Sequence, residues 1–256
     1  TGKKAGINTD FNRPKFAVMN PKLTYTLPKY QLTCGIVDIM MHTLERYFTP
    51  VDGNALTDEI AEGLLRTMIT YGAKAYEDQT DYDAMSEIMW CGSVSHNNLT
   101  GLGRPKIFSV ISWDMRSAVC LMWLTEQDLQ RPGEAGRAMS VSTISAALRS
   151  FAVRVMGCPM DYDNPENTAL AGIEALENFY RRLDMPTNLR ELGLADVTDA
   201  QIHEMAEKCT NGGKNRIGNF VPLGESDIEK SSRWRDERGS EEIMNIYNHR
   251  LRSRKS

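Results

Sequence analysis

Histidine is scarce in this chain. There are four, His42, His96, His203 and His249, and none lies between Gly103 and Phe151. That stretch therefore offers no imidazole for a metal or a catalytic triad. Cysteine is sparse too: Cys34, Cys91, Cys120, Cys158 and Cys209 are scattered, odd in number and never spaced C-x-x-C. The pattern excludes a disulfide framework and a zinc knuckle, and it predicts a reducing, cytoplasmic setting. No apolar run reaches the roughly 18–20 residues that span a bilayer, so no membrane segment is expected. Charge of one sign is also missing. A formal net charge of −4 gives no electrostatic reason to expect nucleic acid or an anionic membrane as partner. "TGLGR" (100–104) has glycines but no Lys-Ser/Thr ending, and it follows a helix-like segment, so it is not a phosphate loop. There is no internal repeat, and no Ser-His-Asp or Cys-His arrangement. The polar start "TGKKAGINTDFNRPK" has no initiator Met and no signal-peptide core, and reads as the middle of a longer protein.

What is present is helix. After one short strand candidate, "KFAVMN", apolar residues recur at three and four over 28–49, 54–78 and 82–98. Helix resumes at 150–157 and at 164–185, the latter with Asn164 and Pro165 as cap and first residue. "LRELGL" ends on a glycine stop, and Thr198-x-x-Gln201 forms a capping box at the head of a last helix. The spacing predicts a mainly α domain of about eight helices over 28–230. Residues 1–27 read as an inter-domain strand or linker, and 231–256 as a disordered tail.

One helix carries chemistry. In "CGIVDIMMHTLERYF" (34–48), Asp38 and His42 stand at i and i+4 on one face, with Glu45 next along the stripe. Apolar residues on all sides predict burial, and burying a carboxylate costs several kcal/mol, roughly, unless it is compensated. A divalent cation would compensate it, since carboxylate and imidazole both ligate zinc and ferrous iron. A carboxylate orienting a core histidine, or a solvated ion pair, fits the same spacing. Two ligands also fall short of the three or four of a working site. His96 ends its helix, where a capping or dipole role is expected ahead of one lining a cleft. His203 is expected to be solvated, and the many methionines to fill the core.

"NPKLTYTLPKYQLTCGIVDIMMHTLERYF", "SHNNLTGLGR", "FAVRVMGCPMDYDNPENTALAGIEALENFYRRLDMPTNLRELG" and "GNFVPLGESDIEK" together resemble the C-terminal domain of iron-containing alcohol dehydrogenases of the NAD(P)H-dependent butanol dehydrogenase type. The resemblance covers most of 1–104 and 151–230. It implies the helical, metal-binding domain of the dehydroquinate synthase-like fold, with the nucleotide-binding α/β domain outside this sequence. It makes Asp38 and His42 two of four ligands to Fe2+ or Zn2+, which polarises an alcohol or aldehyde oxygen while hydride moves to or from NAD(P)(H). A small alcohol or aldehyde is the implied partner; a homodimer stays open.

The family takes its other two ligands from a histidine-rich segment after "GLGR". Here "RPKIFSVISWDMRSAVCLMWLTEQDLQRPGEAGRAMSVSTISAALRS" stands instead. Back-translated with one choice of codons and read one base earlier, Ile111 to Leu129 becomes "HQLGHEIGGMFDVAHGAGL", a segment of the family type. The single codons of Trp113, Met115, Met122 and Trp123 leave this match little slack. Residues 105–150 are therefore read as out of frame, with the lost ligands falling at Ile111 and Thr125. A divergent insert is the alternative. The tail holds seven Lys/Arg against four Asp/Glu and allows a similar one-base reading, or a basic extension. With two ligands, the chain is expected neither to hold its metal tightly nor to turn over alcohol alone. The competing class is a non-enzymatic helical relic or interaction module.

Overall fold

A computed structural model describes residues 11, 14–49, 53–104, 141–187, 191, 196–216 and 223–229, and of 141–145 the backbone alone. Among them are six α-helices: α1 (Lys29–Tyr47), α2 (Ala55–Glu77), α3 (Tyr82–His96), α4 (Val141–Arg154), α5 (Pro165–Arg182) and α6 (Asp199–Thr210). Short 3-10 turns at Pro21–Thr24 and Leu99–Gly101 precede α1 and follow α3.

Local chemistry sets the boundaries. Pro28 has no N–H to waste, and its carbonyl accepts from Gln31 and Leu32 as α1 begins. The Asp81 carboxylate caps α3 by accepting from the Ala84 N–H at 3.0 Å. At α6 the capping box is complete: Thr198 accepts from the Gln201 N–H, and the Gln201 side chain accepts from the Thr198 N–H. Asn164 does not cap α5 with its side chain. Asp161 organises that entry instead, accepting from the Asn164 N–H at 2.8 Å, from the Asp163 N–H at 3.1 Å and from the Asn167 amide at 2.8 Å. Those bonds hold its carboxyl below the usual carboxylate range.

The core is one cluster joining α1 to α5. Ile36, Val37, Met40 and Leu44 of α1 meet Leu65 and Met68 of α2, Met85 and Ile88 of α3, and Leu148, Phe151, Leu176 and Phe179 of α4 and α5. Phe48, just past α1, sets its ring edge-on to Phe151 at 5.6 Å, which ties the first three helices to the later pair. Helices α4 and α5 approach closely at Gly172, where an added Cβ would stand 2.5 Å from the Ala152 Cβ. At Gly103 both a positive φ of +73° and the adjoining Asn54 side chain require the missing side chain.

Three expectations need correction. "KFAVMN" forms no strand: Phe16 and Val18 are 82% and 86% exposed, and no neighbouring strand among the described residues offers pairing. Helix α1 is not buried all round. Tyr30, Gln31 and Gly35 are exposed, and the Asp38 side chain is 45% exposed, so its carboxylate faces an open edge. The helix expected to begin near 150 begins at Val141, and Leu148 is buried beside Phe151 in the core. Most of the tract read as out of frame (105–140), the "LRELGL" stop apart from Glu191, and the 231–256 tail lie outside the described residues, as do Cys120 and His249. Cys34, Cys91, Cys158 and Cys209 form no disulfide with one another. No described helix is long and apolar enough to cross a membrane.

Candidate metal centre

Helices α1 and α3 bring three chemically active side chains together. Asp38 and His42 project from one face of α1, and the Asp38 Oδ1 lies 3.6 Å from the His42 Nε2. His96, the last residue of α3, places its Nε2 3.7 Å from the other oxygen, Oδ2. The two imidazoles meet edge-on with centroids 4.3 Å apart. One ligand atom from each of the three residues lies within 4.8 Å of the others.

Two contacts hold α3 against α1 at this level. The Arg46 guanidinium donates to the Ser95 carbonyl and to the Thr100 hydroxyl, so a side chain of α1 satisfies an end carbonyl of α3. Gly92 lets α3 close on Ile39; an added Cβ there would stand 3.3 Å from the Ile39 Cδ1. His96 is in turn oriented by its own helix, its Nδ1 lying 2.9 Å from the Gly92 carbonyl and 2.7 Å from the Ser95 hydroxyl. The expected end-of-helix role is thus present. The same ring also faces Asp38, which spacing along the chain does not show, because the contact joins two helices.

Glu45, next on the α1 stripe, is not part of the cluster as described. It is largely buried, and its Oε1 has no hydrogen-bond partner among the described residues. Burial pushes its carboxyl up to about 7, against the opposing pull of Arg46. Below it, Tyr47 donates to the buried Glu62 at 2.8 Å. His203 is exposed yet paired rather than simply solvated: its Nδ1 lies 2.6 Å from Glu229 and 3.5 Å from Glu225, and the Glu229 bond raises its pKa.

A carboxylate between two imidazoles at an open helical edge could hold a divalent cation. Comparison with known proteins places the chain in a family. The chain is 32% identical over 236 residues to the NADH-dependent butanol dehydrogenase A of Clostridium acetobutylicum, covering 89% of this chain and 58% of that enzyme. It is 30% identical over 233 residues to the NADPH-dependent aldehyde reductase YqhD of Escherichia coli, covering 85% of this chain and 55% of that enzyme. A crystal structure of YqhD superposes with a TM-score of 0.71 at 26% identity, over 88% of this chain and 56% of that one. The NADH-dependent butanol dehydrogenase A of Thermotoga maritima shares the fold with a TM-score of 0.71 at 21% identity, over 90% of this chain and 58% of that one. No protein-family model matches. The chain belongs to the iron-containing alcohol dehydrogenase family, as a homologue of its butanol dehydrogenases and of YqhD. It spans little more than half the length of those relatives.

Proposed function

We propose that this chain is the helical, metal-binding part of an NAD(P)(H)-linked alcohol dehydrogenase or aldehyde reductase acting on small alcohols or aldehydes. The observation that carries the reading is the pair Asp38 and His42, one turn apart on α1 at an open edge, in a chain homologous to enzymes of that activity. A carboxylate and an imidazole 3.6 Å apart suit neighbouring positions on one cation. Asp38 and His42 would hold Fe2+ or Zn2+ there. When bound, the cation supplies a Lewis acid for the oxygen of the alcohol or aldehyde.

The chain's own contribution is position. Ile36, Val37 and Met40 lock α1 into the core, so Asp38 and His42 have a fixed backbone under them. Arg46 fixes the facing end of α3. The nicotinamide site belongs to the other half of such an enzyme. These 256 residues as an isolated polypeptide are therefore expected to transfer no hydride. In the same reading, 105–150 is an out-of-frame product of a segment that supplied two further ligands, and the tail 231–256 is a second such product.

The test is to join these residues to a family dinucleotide-binding segment, with 105–150 replaced by its neighbouring-frame translation. That protein should oxidise NADH or NADPH with butanal when loaded with Fe2+ or Zn2+, and Asp38→Asn should abolish the turnover. A well-folded, metal-loaded protein with no turnover of any small aldehyde would overturn the reading. A partner captured specifically through 105–150 by the unaltered chain would favour an interaction module instead.

A further inference from the structure

We infer that His96 is a metal ligand, so that Asp38, His42 and His96 form a divalent-cation site complete within α1 and α3. The inference rests on the reading of Asp38 and His42 as ligands, and it adds a third that the sequence assigned to capping. Four observations carry it.

The first is spacing. Zinc bonds of about 2.0–2.2 Å in a tetrahedral arrangement separate neighbouring donor atoms by about 3.4 Å. Asp38 Oδ1 stands 3.6 Å from the His42 Nε2, and Asp38 Oδ2 stands 3.7 Å from the His96 Nε2. One donor atom from each of the three residues lies within 4.8 Å of the others, so the side chains close in on an ion by about an ångström. Both carboxylate–imidazole distances are too long for direct hydrogen bonds.

The second is the proton on His96. Its Nδ1 lies 2.9 Å from the Gly92 carbonyl oxygen, which can only accept. The Ser95 hydroxyl spends its own hydrogen on the same carbonyl, so it too can only accept from Nδ1. Nδ1 therefore carries the hydrogen, and in the neutral ring Nε2 keeps its lone pair. That lone pair faces a carboxylate oxygen. A cation between the two would match both acceptors, and a ligating histidine is typically fixed by this kind of bond from its other nitrogen to a backbone carbonyl.

The third is rigidity. The Arg46 bond to the Ser95 carbonyl and the Gly92–Ile39 contact set the end of α3 against α1 without relying on any residue of 105–140. The fourth is the donor set: two imidazole nitrogens and a carboxylate suit zinc or ferrous iron, and leave room for water or substrate in a fourth position.

A simple ionic triad, with a proton rather than a metal on each ring, is the competing state. The purified 256-residue chain, stripped with chelator, is titrated with ZnCl2 by calorimetry at neutral pH. In parallel, the imidazole nitrogens of the 15N-labelled chain are followed by NMR. Stoichiometric binding is expected, with the Nε2 resonances of His42 and His96 moving together and those of His203 and His249 unmoved. His96→Ala should weaken binding by more than the roughly 10–100-fold that loss of an outer-shell partner costs. Wild-type affinity in His96→Ala, with binding lost in Asp38→Ala, would overturn the role of His96 and leave the Asp38–His42 reading intact. No binding by the wild-type chain would overturn the three-residue site and leave the Asp38–His42 reading intact, since two ligands alone are not expected to hold the metal. Should His96→Ala fail to fold, the NMR of the unaltered chain decides: one moving ring instead of two refutes the proposal.

Discussion

The Arg46 guanidinium, on α1, donates to the main-chain carbonyl of Ser95, the residue before the end of α3. An orphan carbonyl at a helix end has thus found a charged donor on the helix that carries Asp38 and His42. The bond does for α3 what water would otherwise do, and it also fixes where His96 sits. Arg46→Ala is expected to destabilise the chain by about 1.5–3 kcal/mol, the usual worth of a hydrogen bond to a charged group. It should also weaken zinc binding while leaving all three candidate ligands in place. Urea unfolding and a zinc titration of the same variant check the two effects. Unchanged zinc affinity in a measurably destabilised protein would mean that the strut serves the fold alone.

A second polar node lies deeper. Glu62 is 2% exposed and accepts from Tyr47 at 2.8 Å, with Arg154 at 3.5 Å and Arg66 at 3.7 Å. The arginines reach water and the carboxylate does not, so the two sides of the node are not equivalent. Glu62→Gln should cost no more than about 1 kcal/mol, because both arginines remain solvated and an oxygen still faces Tyr47. Removing Tyr47 and Arg154 together leaves a buried carboxylate with only Arg66, and should cost about 3–5 kcal/mol. Chemical denaturation of the two variants gives the comparison. A Glu62→Gln loss equal to that of the double variant would refute the asymmetry.

Local chemistry made α1, α2, α3 and the capping box at Thr198 legible in sequence, because each is fixed by apolar spacing and a nearby stop or start. Asp38 and His42 share a face for the same reason: i and i+4 are neighbours on any helix. His96 was legible only as a helix end. Its approach to Asp38 depends on how α3 crosses α1, which Gly92 and Arg46 decide and which no spacing within one helix records. Asn164 had the right residue type for a cap, but Asp161 supplies the side-chain acceptor there. "KFAVMN" has strand composition, but a strand exists only by pairing, and these residues find none among those described.

Gly172 tests the packing of the later helices. An alanine there would bring its Cβ to 2.5 Å from the Ala152 Cβ and 2.9 Å from the Ala152 Cα. Backbone on the far side cannot rotate away as a side-chain tip can, so α4 and α5 must separate. Overpacking of this kind costs typically about 1–3 kcal/mol. Gly172→Ala should lower the thermal midpoint accordingly, and Ala152→Gly in the same chain should recover only part of the loss, because the Ala152 Cα still stands 2.9 Å from the new Cβ. An unchanged midpoint in the single variant would show that the two helices do not meet at this distance in solution.

Glu45 gives the chain a pH dependence with a definite sign. Its carboxyl, buried and without a hydrogen bond to Oε1 among the described residues, is pushed up to about 7 from an ordinary value of 4.5. Below pH 4.5 both folded and unfolded chains carry the proton, and burial is not penalised. As pH rises, the unfolded chain releases its proton first, so the folded state loses ground until its own carboxyl ionises near 7. The loss over that window is on the order of 3 kcal/mol, from about 1.4 kcal/mol per pKa unit. Glu45→Gln cannot ionise. It should remove this slope and be the more stable protein above pH 7, by up to that amount. Urea unfolding in chelator at several pH values between 4.5 and 8 measures the difference between wild type and variant. Parallel curves across the window would show that Glu45 ionises in the folded chain as it does in water.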